Sequence, residues 1–525
     1  YAAYARATRF AAPTSQQTLM EIHTVELSTG RDSVLARDVP MLFGWGLSWS
    51  ADSGSLAWLT AGVQAPYEVG VHTRSSGLTR TVRYAEAPQD VLGWMLTRMT
   101  PIHTNSNGVT APVWNANGKE LYVIDPLQRA VWKVRLEDSS STKLLSLPEE
   151  QVLGVVHYAR SAIGAEAGPG ALQVFTGHER TKQVSMHEID VGSGSSRKLW
   201  SEDAQISGVV ASADSKLLAY VQQRTDAAPD IWVRAARAGR ARRITHASPE
   251  FDAYVFGRSR LIEWNTASGQ RLQGALILPA GYTPGKRYPL VVFTYGGAYR
   301  SHSLHQFAGG EGMLMATVDN MQLLATRGYA VLLPDAPGRQ GSLMKDYAEA
   351  ILPGVDRAIE LGIADPERLG VMGHSNGGYT VMGLIAQTTR FKAAVSRAGF
   401  SDYVTLAFAM GPDGSTYGLN IAEDLQLGGS LWNARDRWID NSPLFGFDRV
   451  ASATLIVHGA ADNAVPAFAA DQSFAALRRL GKTVEYARYA DEGHSEDIWT
   501  RPNRVDYVTR MLGWFQRYLG ADRAR

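Results

Sequence analysis

From about Thr18 to Arg258 the apolar residues come in short runs of four to eight, separated by Gly, Asn, Asp and Ser. Runs of that length bounded by turn formers predict strands, and long helical periodicity is hard to find among them. Three stretches echo one another: Trp49 to Trp58, Trp114 to Tyr122 and Ala211 to Tyr220. Each reads as a strand, a polar turn and a second strand. The Asp, Asn, Ser and Gly positions take the tight turn, and the Trp, Tyr and Leu positions pack between neighbouring sheets. Repetition of such hairpins at a period of about 40–50 residues marks a β-propeller. The copies lie 65 and 97 residues apart, so one or two degenerate blades are expected between them. A sandwich with ordinary turns is the competing architecture.

After Arg258 the rhythm changes to strands alternating with long amphipathic helices, the signature of an α/β domain. The runs Tyr288–Tyr295, Tyr329–Leu333, Leu369–Met372 and Thr454–His458 are nearly continuous in apolar residues, as strands covered on both faces must be. Helix ends are recognisable. Val508, Met511, Leu512, Phe515 and Leu519 keep 3.6-residue spacing until Gly520, and Phe474, Leu477 and Leu480 do the same until Gly481. The division expected is an all-β propeller over residues 1–258 and a mostly parallel, doubly wound α/β domain over 259–525.

Chemistry concentrates in the second half. The strand ending at Met372 runs into Gly373-His374-Ser375-Asn376-Gly377-Gly378, with a helical stretch from Tyr379 to Gln387 behind it. This is G-x-S-x-G between a strand and a helix, the nucleophile elbow of an α/β-hydrolase, in which glycines allow a turn too tight for a Cβ. A serine hydroxyl needs a base, and the base an orienting carboxylate, in the chain order serine, acid, histidine. Asp462 follows the strand Thr454–His458, and His494 follows the apolar run Val484–Tyr489; both loops belong on the carboxyl edge of the sheet. Asp491 and Glu492 are rivals for the acid, but they adjoin His494 too closely to orient its ring. An oxyanion hole needs two donors. The backbone N–H of Asn376 is one. The other comes from Tyr295-Gly296-Gly297, either as an N–H near Gly296 or as the Tyr295 hydroxyl.

Composition narrows the field. The 525 residues carry 52 basic and 51 acidic side chains, a net charge of +1, which removes a general electrostatic case for nucleic acid or an anionic membrane as partner. With no cysteine, thiol catalysis, disulfides and cysteine-ligated metals are excluded, and no metal or cofactor is expected. No apolar run reaches the roughly 18 residues of a membrane-spanning helix. Tyr1 to Phe10 lack the order of a signal peptide and the chain begins without methionine. The compartment, cytoplasmic or periplasmic, stays open.

The set Tyr295-Gly296-Gly297, Gly373 to Gly378, His458-Gly459-Ala460-Ala461-Asp462 and Glu492-Gly493-His494 resembles the prolyl oligopeptidase family of serine peptidases, over most of Leu261 to Leu519. The resemblance implies a hydrolase domain paired with a propeller that restricts entry to short peptides, triad roles for Ser375, Asp462 and His494, and a hydroxyl of Tyr295 on the oxyanion. The family usually has seven or more blades, whereas the first half has room for five or six, so degenerate blades or an incomplete propeller are expected. Ser396 to Tyr403 occupies the place where the family builds its first specificity pocket, which makes Arg397, Phe400 and Tyr403 candidate substrate contacts. Arg397 would receive an acidic side chain or a peptide carbonyl; its structural alternative is an ion pair. This segment resembles the acylaminoacyl and glutamyl branches more than the dipeptidyl one, which anchors a free amine with paired glutamates. The adjacent pair Glu149-Glu150 reads as a solvated turn. The leading expectation is a serine peptidase acting on short peptides through an acyl-enzyme, with a homo-oligomer left open. An esterase on the same fold and an inert propeller binding protein are the alternatives.

Overall fold

The computed structural model describes residues 1–10, 18–41, 46–60, 67–85, 111–115, 117–125, 130–147, 149–158, 171–212, 214, 216–307, 320–410 and 417–520. The chain divides into two compact units, residues 1–223 with 229–247, and residues 224–228 with 248–525.

Among the described residues the first unit is built from five small sheets in a propeller-like arrangement of successive strands. They are a three-stranded sheet (Ala2–Phe10, Thr18–Glu26, Arg31–Met41), three four-stranded ones beginning at Leu47–Trp49, Val113–Trp114 and Glu150–Val155, and a five-stranded one. The last adds the short strand His157–Tyr158, parallel to Gln205–Ala211. All three repeated hairpins are present, although Ala116, Ala213 and Ser215 within them lie outside the described residues. Their turns use the same chemistry. Ser50 Oγ donates to Asp52 and accepts from the Ser55 N–H, while Ser212 Oγ donates to Asp214 and accepts from the Leu217 N–H. In the middle copy Asn115 Oδ1 does the accepting, from the Lys119 and Glu120 amides. One sheet, starting at Glu150, separates the second and third hairpins; between the first and second no further sheet occurs among the described residues.

One reading in this half is corrected. Glu149 is exposed and lies in a turn, but Glu150 opens a strand and is only 7% exposed. Its carboxylate accepts from the hydroxyl of Thr176 and lies 3.0 Å from His187 Nε2 and 3.1 Å from Lys198 Nζ. Burial pushes the Glu150 carboxyl up, but these partners outweigh it and hold it down at about 2. The sequence hides this because the partners lie 26 to 48 residues away on the neighbouring strands.

The second unit is an eight-stranded sheet in the order β1-β2-β4-β3-β5-β6-β7-β8. The strands are β1 (Ser259–Asn265), β2 (Arg271–Ile277), β3 (Tyr288–Phe293), β4 (Ala330–Pro334), β5 (Ala364–His374), β6 (Ala393–Arg397), β7 (Ala453–Gly459) and β8 (Val484–Tyr489). β2 runs antiparallel to both its neighbours, β1 and β4; from β4 to β8 every pairing is parallel. The apolar run in β3 shows why. Leu290 and Val292 point into one core with Trp264, Tyr347 and Ile351, while Val291 and Phe293 point into the other with Met372, Trp514 and Phe515. Helices α1 (Leu343–Glu360) and α2 (Asn376–Gln387) cover the first face, and α4 (Arg501–Leu519) covers the second. Helix α3 (Ala467–Arg479) adds Ala469, Ala470 and Leu477 to the first core. Chain order along the parallel strands then brings the loops after β5, β7 and β8 to one carboxyl edge.

Candidate active site

The loop after β5 is a single residue long. Ser375 has φ 57° and ψ −119°, a strained left-handed conformation, and α2 starts at the next residue. The turn is paid for by glycine: a Cβ on Gly377 would lie 2.3 Å from the carbonyl oxygen of Thr294. The Ser375 N–H donates to Arg397 O at 2.8 Å, so β6 fixes the elbow from the side.

From this perch Ser375 Oγ lies 3.0 Å from His494 Nε2, and His494 Nδ1 lies 2.7 Å from Asp462 Oδ2. A carboxylate only accepts, so the proton between them sits on Nδ1, and the Nε2 of a neutral ring faces the hydroxyl as an acceptor. Asp462 is held on both oxygens. Oδ1 accepts from the Ala464 and Val465 amides at 2.8 and 2.9 Å, and Oδ2 also faces His458 Nε2 at 3.2 Å. Burial pushes the Asp462 carboxyl up, but hydrogen bonds from His458 and His494 outweigh it and hold it far below the usual carboxylate range. It stays ionised. The loops of Asp462 and His494 also fit against each other: a Cβ on Gly459 would lie 2.3 Å from Glu492 O.

The rivals for the acid have other places. Glu492 Oε1 accepts from the amide and hydroxyl of Thr500 and from Asn503, tying the loop to the start of α4. Asp491 is exposed, at φ 61°.

Asn376 is the first residue of α2, where an N–H has no acceptor one turn back. Its side chain is engaged: Nδ2 donates to Gly296 O at 2.7 Å and Oδ1 accepts from Gln426. Tyr295 is half-buried in the loop after β3. The amides beside it are occupied, that of Gly296 with Thr380 Oγ1 at 3.0 Å and that of Gly297 with Ala336 O at 2.7 Å.

The three candidate substrate contacts lie inside the unit. Arg397 is 0% exposed, 3.4 Å from Glu496 and 5.3 Å from the centre of the Tyr507 ring, so it matches its ion-pair alternative rather than a surface receptor for substrate. Phe400 stacks on Tyr379 at 4.8 Å, and Tyr403 packs edge-on against both while its hydroxyl donates to Gln426. Sequence reasoning missed His458, His374 and Glu496 around the triad. Each sits within a few residues of a triad member, but pairing them requires knowing that β5, β6, β7 and β8 are neighbours.

Residues 316–522 match the model of the prolyl oligopeptidase family. The matched residues lie within the second unit. Among curated relatives, an uncharacterized peptidase of Bacillus subtilis, YuxL, is 28% identical over 274 residues, covering 49% of this chain and 39% of the relative. A probable chloroplastic glutamyl endopeptidase of Arabidopsis thaliana is 21% identical over 540 residues, covering 93% of this chain and 54% of the relative. The chain thus spans about half the length of these relatives or less. In fold it is similar to a puromycin-hydrolyzing peptidase of Mycobacterium tuberculosis, with a TM-score of 0.65 at 19% identity over 99% of this chain and 80% of that one.

Proposed function

We propose that this chain is a serine peptidase that hydrolyses short peptides through an acyl-enzyme, with Ser375 as nucleophile, His494 as base and Asp462 as its orienting acid. The observation that carries the reading is the unbroken run of contacts from Ser375 Oγ through the His494 ring to a buried, ionised Asp462. As Oγ attacks the peptide carbonyl, its proton moves to His494 Nε2 and the carbonyl oxygen becomes an oxyanion. The Asn376 N–H and the Tyr295 hydroxyl stabilise that charge. Commitment of the Gly296 and Gly297 amides to Thr380 and Ala336 supports the hydroxyl as the second donor over a backbone amide of the same loop. Collapse returns the proton to the leaving amine and leaves the acyl group on Ser375. Water, deprotonated by His494, then releases the acid and restores the serine.

The peptidase names of the relatives support a peptide substrate over a simple ester. Internal pairing of Glu150 with Thr176, His187 and Lys198 is consistent with a subsite that does not use the Glu149–Glu150 pair to hold a free amine. A library of short blocked and unblocked peptides, incubated with the wild type and with Ser375→Ala, tests the proposal. Cleavage by the wild type alone is expected, and equal cleavage by both would refute it.

A further inference from the structure

Behind the triad lies a buried cluster with no part in the chemistry described above. His374 ends β5 directly before the nucleophile, and its Nε2 lies 2.9 Å from the backbone oxygen of His494. A carbonyl only accepts, so Nε2 carries a proton and donates it to the backbone of the base. The same nitrogen is 3.5 Å from Glu496 Oε2, two residues beyond His494, and that carboxylate is 3.4 Å from Arg397 Nη1. Exposures of 3% for His374, 0% for Arg397 and 1% for Glu496 put all three out of water. His374 and Arg397 are register partners on β5 and β6, the two strands that hold the elbow, and the His374 and His494 rings lie 4.8 Å apart.

We infer that His374, Glu496 and Arg397 are positioning residues that dock the loop of His494 onto the nucleophile strand and so set the 3.0 Å contact between base and serine. The inference rests on the serine peptidase reading. Held only by β8 and by the Glu492 contacts to the start of α4, the loop could drift at His494, and a misplacement of about 1 Å in a reacting geometry costs on the order of 10²-fold in rate. Two anchors oppose that drift. One is the His374 N–H on the backbone of His494 itself. The other is the Glu496 carboxylate, drawn toward β6 by the Arg397 guanidinium at 3.4 Å. Desolvation makes such a cluster a poor choice for stability alone, which favours a geometric role.

His374→Phe keeps the ring and removes the donor, whereas His374→Gln offers an amide N–H at a similar reach. With short peptides, His374→Phe should lose about 10–100-fold in kcat with KM within about twofold, and His374→Gln should return to within about fivefold of the wild type. The rate of phosphonylation of Ser375 by a fluorophosphonate should follow kcat. Should His374→Phe not fold, His374→Asn, whose amide falls short of the carbonyl, takes its place under the same expectations. A folded donorless variant with kcat within twofold of wild type overturns the inference, as does a glutamine variant no better than the donorless one. Ser375→Ala run beside them separates the two claims. If it stays active the peptidase reading itself fails; if it is inert while His374→Phe is unaffected, only the positioning role fails.

Discussion

Replacing Asp462 with Asn changes one atom and reverses a hydrogen-bond pattern. All four groups aimed at this carboxylate are donors: the Ala464 and Val465 amides on Oδ1, and His494 Nδ1 and His458 Nε2 on Oδ2. Asparagine can accept on one side only. Turning its oxygen toward the two amides keeps the loop folded but puts an NH₂ against His494. The imidazole then relieves the clash by moving its proton from Nδ1 to Nε2, and Nε2 faces Ser375 as a donor that cannot take the serine proton. His458 has no such escape, because its Nε2 is also 2.8 Å from the oxygen of Val465, an acceptor that requires the proton to stay. A wrong tautomer at a triad histidine costs on the order of 10⁴ in kcat, or ~5.4 kcal/mol of transition-state stabilisation. Substrate binding does not use the carboxylate, so KM should move little. The assay is steady-state hydrolysis of a short chromogenic peptide, with thermal unfolding to show that the variant is folded. A folded Asp462→Asn that keeps kcat within tenfold of wild type would refute the reasoning and pass the role to another carboxylate.

Three other expectations follow from the same geometry. Tyr295→Phe should lower kcat by about 10²–10³-fold at nearly constant KM if the phenol holds the oxyanion, whereas a change below threefold with an unchanged melting temperature would remove it from the site. Gly377→Ala places a methyl 2.3 Å from Thr294 O, against backbone that cannot step aside, so the elbow must deform; peptide hydrolysis and melting temperature should both fall, and a variant normal in both would show the elbow looser than described. Glu150, held at about 2 against an ordinary value of 4.5, binds a proton more readily unfolded than folded. Its stabilisation is therefore fully present above about pH 4.5 and is lost as the pH falls toward 2. Denaturant unfolding of the N-terminal unit between pH 5 and 3 should show this loss, and Glu150→Gln should flatten it; equal slopes for both proteins would contradict the network.

What the sequence makes legible here is what local patterning controls. The doubly apolar run of β3, with Leu290 and Val292 on one face and Val291 and Phe293 on the other, announces a covered strand. Glycines at 373, 377 and 378 around Ser375 announce a turn that leaves no room for side chains. The Ser-x-Asp turns at 50–52 and 212–214 announce hairpins. Pairing across distant strands is different. Arg397 and Tyr403 look like pocket residues in one dimension because polar and aromatic side chains after a strand often are; both are buried because Glu496, ninety-nine residues from Arg397, and the ring of Tyr379 meet them inside the unit. Glu150 looks like a solvated turn for the same reason. Its partners reach it only after the sheet has formed.

The most direct measurement is to find which residue a fluorophosphonate modifies. The probe reacts with a serine only where a base has activated it and donors await the developing negative charge. Reaction of the native protein followed by peptide mapping should place one adduct on Ser375, absent in Ser375→Ala and strongly slowed in an Asp462→Asn variant that remains folded. An unlabelled native protein, or an adduct on another residue that persists in Ser375→Ala, would contradict the account at its centre.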